Sequence, residues 1–175
     1  LGCDQGMKSV ITLSNGFTPE EINENRKSLK SIIVALSKCR KGSKRFKRKQ
    51  DERDNFVNWS INQINFDDIK QINLEKIVNI NYKRKTSRLM SHWKNTEIRD
   101  KLKSACEEHG VHVLEQSSVY RSQRCSSCGL VKKSNRKDKT YSCKHCGNIM
   151  DADLNAAKNH EITALPSIPK DFIRE

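Results

Sequence analysis

The chain has 175 residues, of which 34 are Lys or Arg and 21 are Asp or Glu, so its formal net charge is +13. Its 34% hydrophobic and 31% charged residues are typical of a globular protein, and no apolar run approaches the roughly 18 to 20 residues that span a bilayer. We therefore predict no transmembrane segment. The basic excess indicates a polyanionic partner, with nucleic acid first and an anionic membrane surface second.

The start of the chain and its seven cysteines indicate the compartment. The sequence opens at Leu1 without an initiator Met and without the charged and apolar regions of a signal peptide. Four cysteines fall in CxxC pairs and three are scattered, which favours metal ligation over a disulfide framework. We expect an intracellular chain, and the missing Met suggests a fragment of a longer protein.

The first elements are predicted to be a hairpin and two helices. Alternation in "LGCDQGMKSVITLSNG" predicts two β-strands. A helix is expected from Thr18, its cap, with Pro19 in the first turn. Its apolar face comprises Ile22, Leu29, Ile33 and Leu36. Gly42 and Ser43 interrupt the pattern before a second helix over about 44–65. The buried stripe of that helix is either Phe56, Trp59 and Ile64, or Val57, Ile61 and Ile64.

These two helices form a basic helical insertion, predicted to span about 19–65. Its cationic residues are Arg26, Lys27, Lys30, Lys38, Arg40, Lys41, Lys44, Arg45, Lys47, Arg48, Lys49 and Arg53. The pattern predicts a surface that follows a nucleic-acid backbone, with Lys44, Arg45, Lys47 and Arg48 as its contacts. The alternative is a solvated helical hairpin.

Strand and helix patterns then alternate to the end of the chain. The segment "IKQINLEKIV" predicts a strand with Ile72 and Leu74 on its apolar face. A helix follows in "NTEIRDKLKSACEEHG", capped by Asn95 or Thr96 and ended by Gly110. "VHVLEQ" is expected to be a strand and "DLNAAKNHEI" a short last helix, with a loose tail after it.

Four cysteines follow the spacing C-x2-C-x14-C-x2-C, which is typical of a structural zinc site. They are Cys125, Cys128, Cys143 and Cys146. A closed set of four thiolates leaves no open position for catalysis. His145 lies inside the second pair and could replace a cysteine, but with four cysteines in register we interpret it as a bystander.

Three acidic residues stand where elements end or begin. Asp4 ends the first strand, Glu75 ends a later strand, and Asp153 opens the last helix. Carboxylates gathered in this way could hold paired Mg²⁺ ions, since hard cations prefer oxygen ligands. Taken from the pattern alone, ordinary surface charges are the alternative.

The segments "LGCDQG", "INLEKI", "YRSQRCSSCG" and "CGNIMDADLNAAKN" stand in the order of the three RuvC motifs and the zinc ribbon of the TnpB (OrfB) family. The chain thus resembles the nuclease half of these transposon-associated RNA-guided nucleases and of their relatives, the type V CRISPR effectors. By this resemblance Asp4, Glu75 and Asp153 are the catalytic ligands of Mg²⁺. Asp151 is the neighbouring choice for the last position.

The resemblance implies an α/β fold of the RNase H-like (RuvC) type, a mixed sheet flanked by helices. It places the nuclease core at 1–120, a zinc ribbon that binds target nucleic acid at 121–150, the final motif helix at 151–162 and a tail at 163–175. The implied activity is RNA-guided, Mg²⁺-dependent cleavage of DNA, with DNA and guide RNA as partners. Lys132, Lys133, Arg136, Lys137 and Lys139 would guide the substrate strand, or form only a solvated turn.

The chain also departs from the family in several respects. Arg121 stands where the family usually has Thr, the N-terminal half is absent, and no third strand of the first hairpin is evident after Asn15. Two alternatives to a nuclease are therefore kept. One is an RNA-guided binder that acts as a repressor without cleavage, and the other is a zinc-ribbon module that binds nucleic acid without catalysis.

Overall fold

The computed structural model describes residues 1–76 and 87–162 of the chain. A four-stranded sheet lies at its centre, in the order β2-β1-β3-β4. Its strands are β1 (Gly2–Gln5), β2 (Ile11–Leu13), β3 (Gln71–Lys76) and β4 (His112–Ser117). β1 pairs with β2 antiparallel, whereas β1–β3 and β3–β4 are parallel, so the sheet is mixed. The predicted hairpin and both later strands are confirmed.

Five α-helices accompany this sheet in the described part of the chain. They are α1 (Leu29–Ser37), α2 (Lys44–Ile61), α3 (Arg88–Ser91), α4 (Asn95–Glu108) and α5 (Ala152–Glu161). α1, α2 and α4 contribute buried apolar side chains to one core with the sheet, in which Cys3, Ile72 and Leu74 are fully buried. Burial of this apolar surface is the main force that holds the three helices against the sheet.

The expectation that Thr18 caps the first helix is wrong, because α1 begins at Leu29, ten residues after Pro19. Its N-cap is Ser28, whose hydroxyl accepts a hydrogen bond from the Ser31 N–H at 3.2 Å. Upstream, the Asn23 side chain accepts hydrogen bonds from two backbone N–H groups, those of Asn25 and Lys27, at 3.1 Å. Such a local asparagine turn competes with helix formation. Ile22, expected on the buried face, is 58% exposed.

The second helix ends four residues earlier than predicted, at Ile61, and both proposed stripes contribute to the core. Phe56, Val57 and Ile61 are buried in α2, while Trp59 is half-buried. The break before this helix is confirmed: Gly42 has a φ of +80°, and the Ser43 hydroxyl accepts a hydrogen bond from the Phe46 N–H at 3.1 Å.

The helix α4 has the predicted buried face but a different first residue. Lys94 is its N-cap and makes no capping hydrogen bond through its side chain, so neither Asn95 nor Thr96 has the predicted role. At the other end Gly110, with a φ of +68°, ends the helix as expected.

A small three-stranded antiparallel sheet lies between β4 and α5 in the chain. It comprises β5 (Arg136–Lys137), β6 (Thr140–Ser142) and β7 (Ile149–Asp151), preceded by one 3₁₀ turn (Lys133–Asn135). Its compact core contains the buried residues Cys125, Tyr141, Cys143 and Ala152. The segment that carries the four CxxC cysteines therefore has a small hydrophobic core of its own.

The helix α5 lies directly against β1. A Cβ atom added to Gly2 would lie 1.9 Å from the Ala157 carbonyl oxygen and 2.6 Å from the Glu161 nitrogen. Ala156 and Ala157 are fully buried in this contact. Because side chains alternate along a strand, Gly2 and Asp4 face α5, whereas Cys3 faces the core formed with α1, α2 and α4.

Two predicted features fall outside the described residues: the end of the strand "IKQINLEKIV" at Ile77 and Val78, and the tail over 163–175. Within 1–76 and 87–162, none of the helices combines the length and apolar character needed to cross a membrane.

The close approach of α5 to β1 generates a prediction about Gly2. We expect Gly2→Ala to lower the free energy of unfolding by about 3 kcal/mol, because the atoms in the way are backbone atoms that cannot rotate aside. Denaturant unfolding followed by circular dichroism measures the change. Gly110→Ala, which meets no neighbouring atom but has a positive φ, is the control and should lower it by about 1 kcal/mol. Equal losses in the two variants would contradict the packing described.

Candidate metal centre

The centre of the site consists of two carboxylates on neighbouring parallel strands. Cys3 is paired with Leu74, so Asp4 on β1 lies beside Glu75 on β3, near the ends of the strands. A carboxylate oxygen of each and a ring nitrogen of His160 on α5 all lie within 4.8 Å of one another. The structure thus brings together two of the three predicted catalytic residues and adds a histidine to them.

Burial raises the pKa of both carboxylates, and repulsion by neighbouring carboxylates adds to the shift of Asp4. Loss of solvent at Asp4, together with the charges of Glu75 and Asp153, raises the pKa of Asp4 to about 8, although Arg136 opposes the shift. The pKa of Glu75 is also raised by burial, against a hydrogen bond from Ser118. Carboxylates with raised pKa values favour a bound proton or a cation, so this donor set fits a divalent metal.

The third predicted catalytic residue, Asp153, lies close enough to influence Asp4 but is not part of the 4.8 Å group. Its carboxylate makes ion pairs with Arg136 Nη2 at 2.9 Å and Lys139 Nζ at 2.7 Å. Asp151, the neighbouring choice, instead caps α5: its Oδ1 accepts hydrogen bonds from the N–H groups of Asp153 and Leu154. The buried carboxylate on the site side of the helix is therefore that of Asp153, which is 8% exposed.

His160 is the residue that sequence reasoning missed. Its side chain is 1% exposed, and burial together with the charge of Arg121 lowers its pKa to about 3, so the imidazole is neutral. The sequence did contain a signal. His160 follows Asp153 by seven residues, which places both on one face of a helix, and the positions between them include the small residues Ala156 and Ala157.

Buried polar groups hold the end of α5 in place. Asn73 Nδ2 on β3 donates a hydrogen bond to the His160 carbonyl oxygen at 2.9 Å, and the Gln116 side chain on β4 donates to the same oxygen. The guanidinium of Arg121 donates to the carbonyl oxygens of Ser117 at 2.7 Å and Ile162 at 2.8 Å. Arg121, the departure from the family pattern, thus fastens α5 to the end of β4.

The four cysteines of the CxxC pairs form a second group that could hold a metal ion. Cys125 Sγ lies 3.7 Å from Cys146 Sγ, and Cys128 Sγ lies 3.7 Å from Cys143 Sγ. In each knuckle the glycine after the second cysteine has a positive φ, and its N–H donates to the carbonyl oxygen of the first cysteine at 2.9 Å. His145 is exposed and is not part of this group.

Two asparagines of α5 connect the cysteine segment to the helix. Asn155 Nδ2 donates to the Arg124 carbonyl oxygen at 2.8 Å, and its Oδ1 accepts from the Ser126 N–H at 3.0 Å. Asn159 Nδ2 donates to the carbonyl oxygens of Arg121 and Arg124. The first knuckle is therefore joined by hydrogen bonds to the helix that carries Asp153 and His160.

The predicted nucleic-acid contacts on α2 are all exposed, at the start of the helix: Lys44, Arg45, Lys47 and Arg48. Lys47 makes an ion pair with Asp51 at 2.8 Å. Other basic residues of the insertion are paired with acidic side chains: Lys27 and Lys49 share Glu52. Arg53 is buried against Asp54.

The basic residues of the cysteine segment divide into two sets. Lys133 and Lys137 are exposed, and Lys132 is half-buried. Arg136 and Lys139 point instead to the Asp153 carboxylate, as described above, so they lie at the candidate metal centre.

Comparison with known proteins finds similar sequences over part of the chain. Residues 96–160 match the family described as Cas12f1-like, TNB domain. Over these residues the chain is similar to Cas12f1-like proteins. A CRISPR-associated endodeoxyribonuclease Cas12f1 of Sulfoacidibacillus thermotolerans is 36% identical over 85 residues, 48% of this chain and 19% of that protein. A Cas12f1 of Syntrophomonas palmitatica is 36% identical over 62 residues, 35% of this chain and 12% of that protein.

Solved structures of Cas12f proteins share the fold. A Cas12f1–sgRNA–target DNA complex matches with a TM-score of 0.59 and 18% identity, over 90% of this chain and 48% of the other. A CRISPR–Cas12f ternary complex matches with a TM-score of 0.58, also at 18% identity, over 95% of this chain and 39% of the other. The chain spans less than half the length of each of these proteins. The predicted resemblance is thereby confirmed.

The raised pKa of Asp4 predicts a stability profile. Between the usual pKa near 3.8 and about 8, the folded state binds a proton that the unfolded state does not, so stability falls as pH rises through this window. In buffer without added divalent metal, we expect Asp4→Asn to stabilise the chain by roughly 1–3 kcal/mol at pH 8 and far less at pH 5. Thermal unfolding across this pH range measures the difference. Asp100→Asn, at an exposed position, is the control and should leave the dependence of stability on pH unchanged. If Asp4→Asn shows the same dependence of stability on pH as the wild type, the account is contradicted.

Proposed function

We propose that the chain is the RuvC-type nuclease part of a longer RNA-guided DNA endonuclease. The observation that carries the proposal is the Asp4–Glu75 pair on adjacent parallel strands, with Asp153 close enough to raise the pKa of Asp4. Two of these three carboxylates were predicted at strand ends and the third at a helix start. Carboxylates gathered on one face of a sheet are what metal-dependent phosphodiester hydrolysis requires, and this supports the proposal.

The RNase H-like assignment rests on the topology of the sheet. An antiparallel hairpin is followed by two parallel strands, and helices cover both faces. The described residues contain two strands of the hairpin, and the third strand of an RNase H-like hairpin is not among them. We propose the boundaries given above: a core over 1–120, a ribbon over 121–150 and the last motif helix over 151–162.

Asp4, Glu75 and Asp153 would hold the catalytic ions. When bound, Mg²⁺ supplies activation of water and stabilisation of charge on the scissile phosphate. The chain itself orients these groups: β1 and β3 fix two carboxylates, and α5 fixes the third. Arg136 and Lys139, now paired with Asp153, are placed to contact a phosphate group when that carboxylate binds metal.

We propose zinc as the ion of the four-cysteine group. A tetrahedron with Zn–S bonds of about 2.3 Å has edges of about 3.8 Å. The two sulfur–sulfur distances of 3.7 Å fit this value and are far longer than a disulfide bond. A closed four-thiolate site is structural, so its role is to fold the ribbon and, through Asn155 and Asn159, to support α5.

DNA and guide RNA are the proposed partners. The related Cas12f1 structure is a complex with sgRNA and target DNA, and the exposed Lys44, Arg45, Lys47 and Arg48 give this chain a cationic surface. Lys132, Lys133 and Arg136 are the proposed contacts on the ribbon. We propose that the cleaved strand is single-stranded when it reaches the site.

A binder without nuclease activity is the second candidate. The observation that favours it is the pair of cations on Asp153, because both contacts must loosen before that carboxylate can ligate an ion. Such a protein would bind DNA with its RNA and act as a repressor.

Cleavage assays separate the two candidates. We expect Mg²⁺-dependent cleavage of end-labelled single-stranded DNA. The cleavage rate should fall about 100-fold or more in Asp4→Ala, Glu75→Ala and Asp153→Ala, because loss of even an outer partner of a metal site lowers metal affinity or activity roughly 10- to 100-fold. Asp67→Ala, at an exposed position, should cut normally. DNA binding without any cutting, by the full-length protein with its RNA, would overturn the nuclease and favour the binder.

The zinc assignment is tested on the cysteines. We expect one zinc per wild-type chain by elemental analysis, and loss of zinc with a cooperative loss of structure in Cys125→Ser, because a structural site contributes folding free energy. Cys39→Ser, outside the four-cysteine group, is the control and should retain the metal. Unchanged zinc content in Cys125→Ser would refute the site.

A further inference from the structure

His160 has a buried imidazole whose contacts do not indicate a structural role. Its side chain is 1% exposed, and Nδ1 has no hydrogen-bond partner among the described residues. Buried polar atoms are nearly always satisfied, so an imidazole that only filled space here would be unusual. Its backbone, by contrast, is held firmly through the carbonyl oxygen that Asn73 and Gln116 bind.

The imidazole lies beside the two carboxylates. A ring nitrogen of His160 and one oxygen each of Asp4 and Glu75 lie within 4.8 Å of one another. Bonds from a divalent ion to nitrogen and oxygen ligands are about 2.0–2.3 Å long, so one ion can reach all three atoms.

The placement follows from how α5 sits on the sheet. Helical side chains lean toward the N-terminus of their helix, so the imidazole leans from the held end of α5 toward the end that carries Asp153. The close contact at Gly2 brings this face of α5 against β1, the strand that carries Asp4. The histidine is therefore directed to the site by the same packing that positions the acidic residues.

We infer that His160 is a nitrogen ligand of the ion held by Asp4 and Glu75, and that it shifts this site from Mg²⁺ toward transition-metal ions such as Mn²⁺. The inference rests on the proposed function for the presence of an ion on the acidic pair. Imidazole binds first-row transition ions far better than Mg²⁺, which prefers oxygen ligands only. The site so formed has two oxygens and one nitrogen from the protein and leaves positions for water or phosphate.

The test is a spectroscopic one and does not depend on activity. Mn²⁺ is titrated into the zinc-loaded chain, and pulsed electron paramagnetic resonance detects ¹⁴N coupled to the bound ion. We expect one strongly bound Mn²⁺ with a nitrogen coupling that changes to the ¹⁵N pattern when only histidines carry ¹⁵N. In His160→Gln we expect the coupling to vanish and Mn²⁺ affinity to fall about 10-fold, with Mg²⁺ affinity changed less than about 3-fold.

His112→Gln, at an exposed position on β4, is the matched control and should keep both the coupling and the affinity. The isotope exchange on the wild-type chain gives an answer even if His160→Gln fails to fold. Bound Mn²⁺ without nitrogen coupling, or a coupling that survives in folded His160→Gln, overturns the inference and leaves the nuclease proposal standing. If the nitrogen coupling is present but the full-length protein never cuts DNA, the assignment of His160 as a ligand is supported and the nuclease proposal is overturned.

Discussion

The contact between α5 and β1 at Gly2 is the constraint on which the rest of the site depends. Because position 2 has no side chain, the Ala157 carbonyl lies where a Cβ would be, and the helix rests directly on the strand. Asp4, two residues farther along the strand, then faces the same helix that carries Asp153 and His160. The ribbon and Arg121 reinforce this contact from outside, through the amide groups of Asn155 and Asn159 and the backbone at the end of the helix.

Two kinds of metal-ligating side chain form separate groups in the fold. Four thiols surround one closed centre, and carboxylates with an imidazole surround another, open one. The last strand of the small sheet, β7, ends at Asp151, whose carboxylate caps α5 and so fixes where the helix begins. In our account the closed centre gives rigidity, and the buried negative charge of the open centre gives affinity for a cation, as the raised pKa of Asp4 indicates.

Much of this arrangement could be predicted from the sequence. Alternation predicted the strands of the hairpin, Gly110 the end of α4, and spacing the four-cysteine group. The resemblance indicated Asp4, Glu75 and Asp153. Two helix starts were predicted wrongly for local reasons. Asn23 forms a turn where "TPEEIN" suggested a helix, and Lys94 is the N-cap of α4 where an asparagine or threonine cap was expected. Spacing places His160 on one helix face with Asp153, but its approach to Asp4 and Glu75 arises from the fold and could not be predicted. The same holds for the pairing of Arg136 and Lys139 with Asp153.

The central claim is that packing of α5 on the sheet creates one open divalent-metal centre on Asp4 and Glu75. Anomalous diffraction from crystals soaked in Mn²⁺, with data collected at the manganese edge, tests it most directly. The account predicts an anomalous peak within about 2.3 Å of an oxygen of each carboxylate. A manganese peak elsewhere in the chain, with none between Asp4 and Glu75, would contradict it.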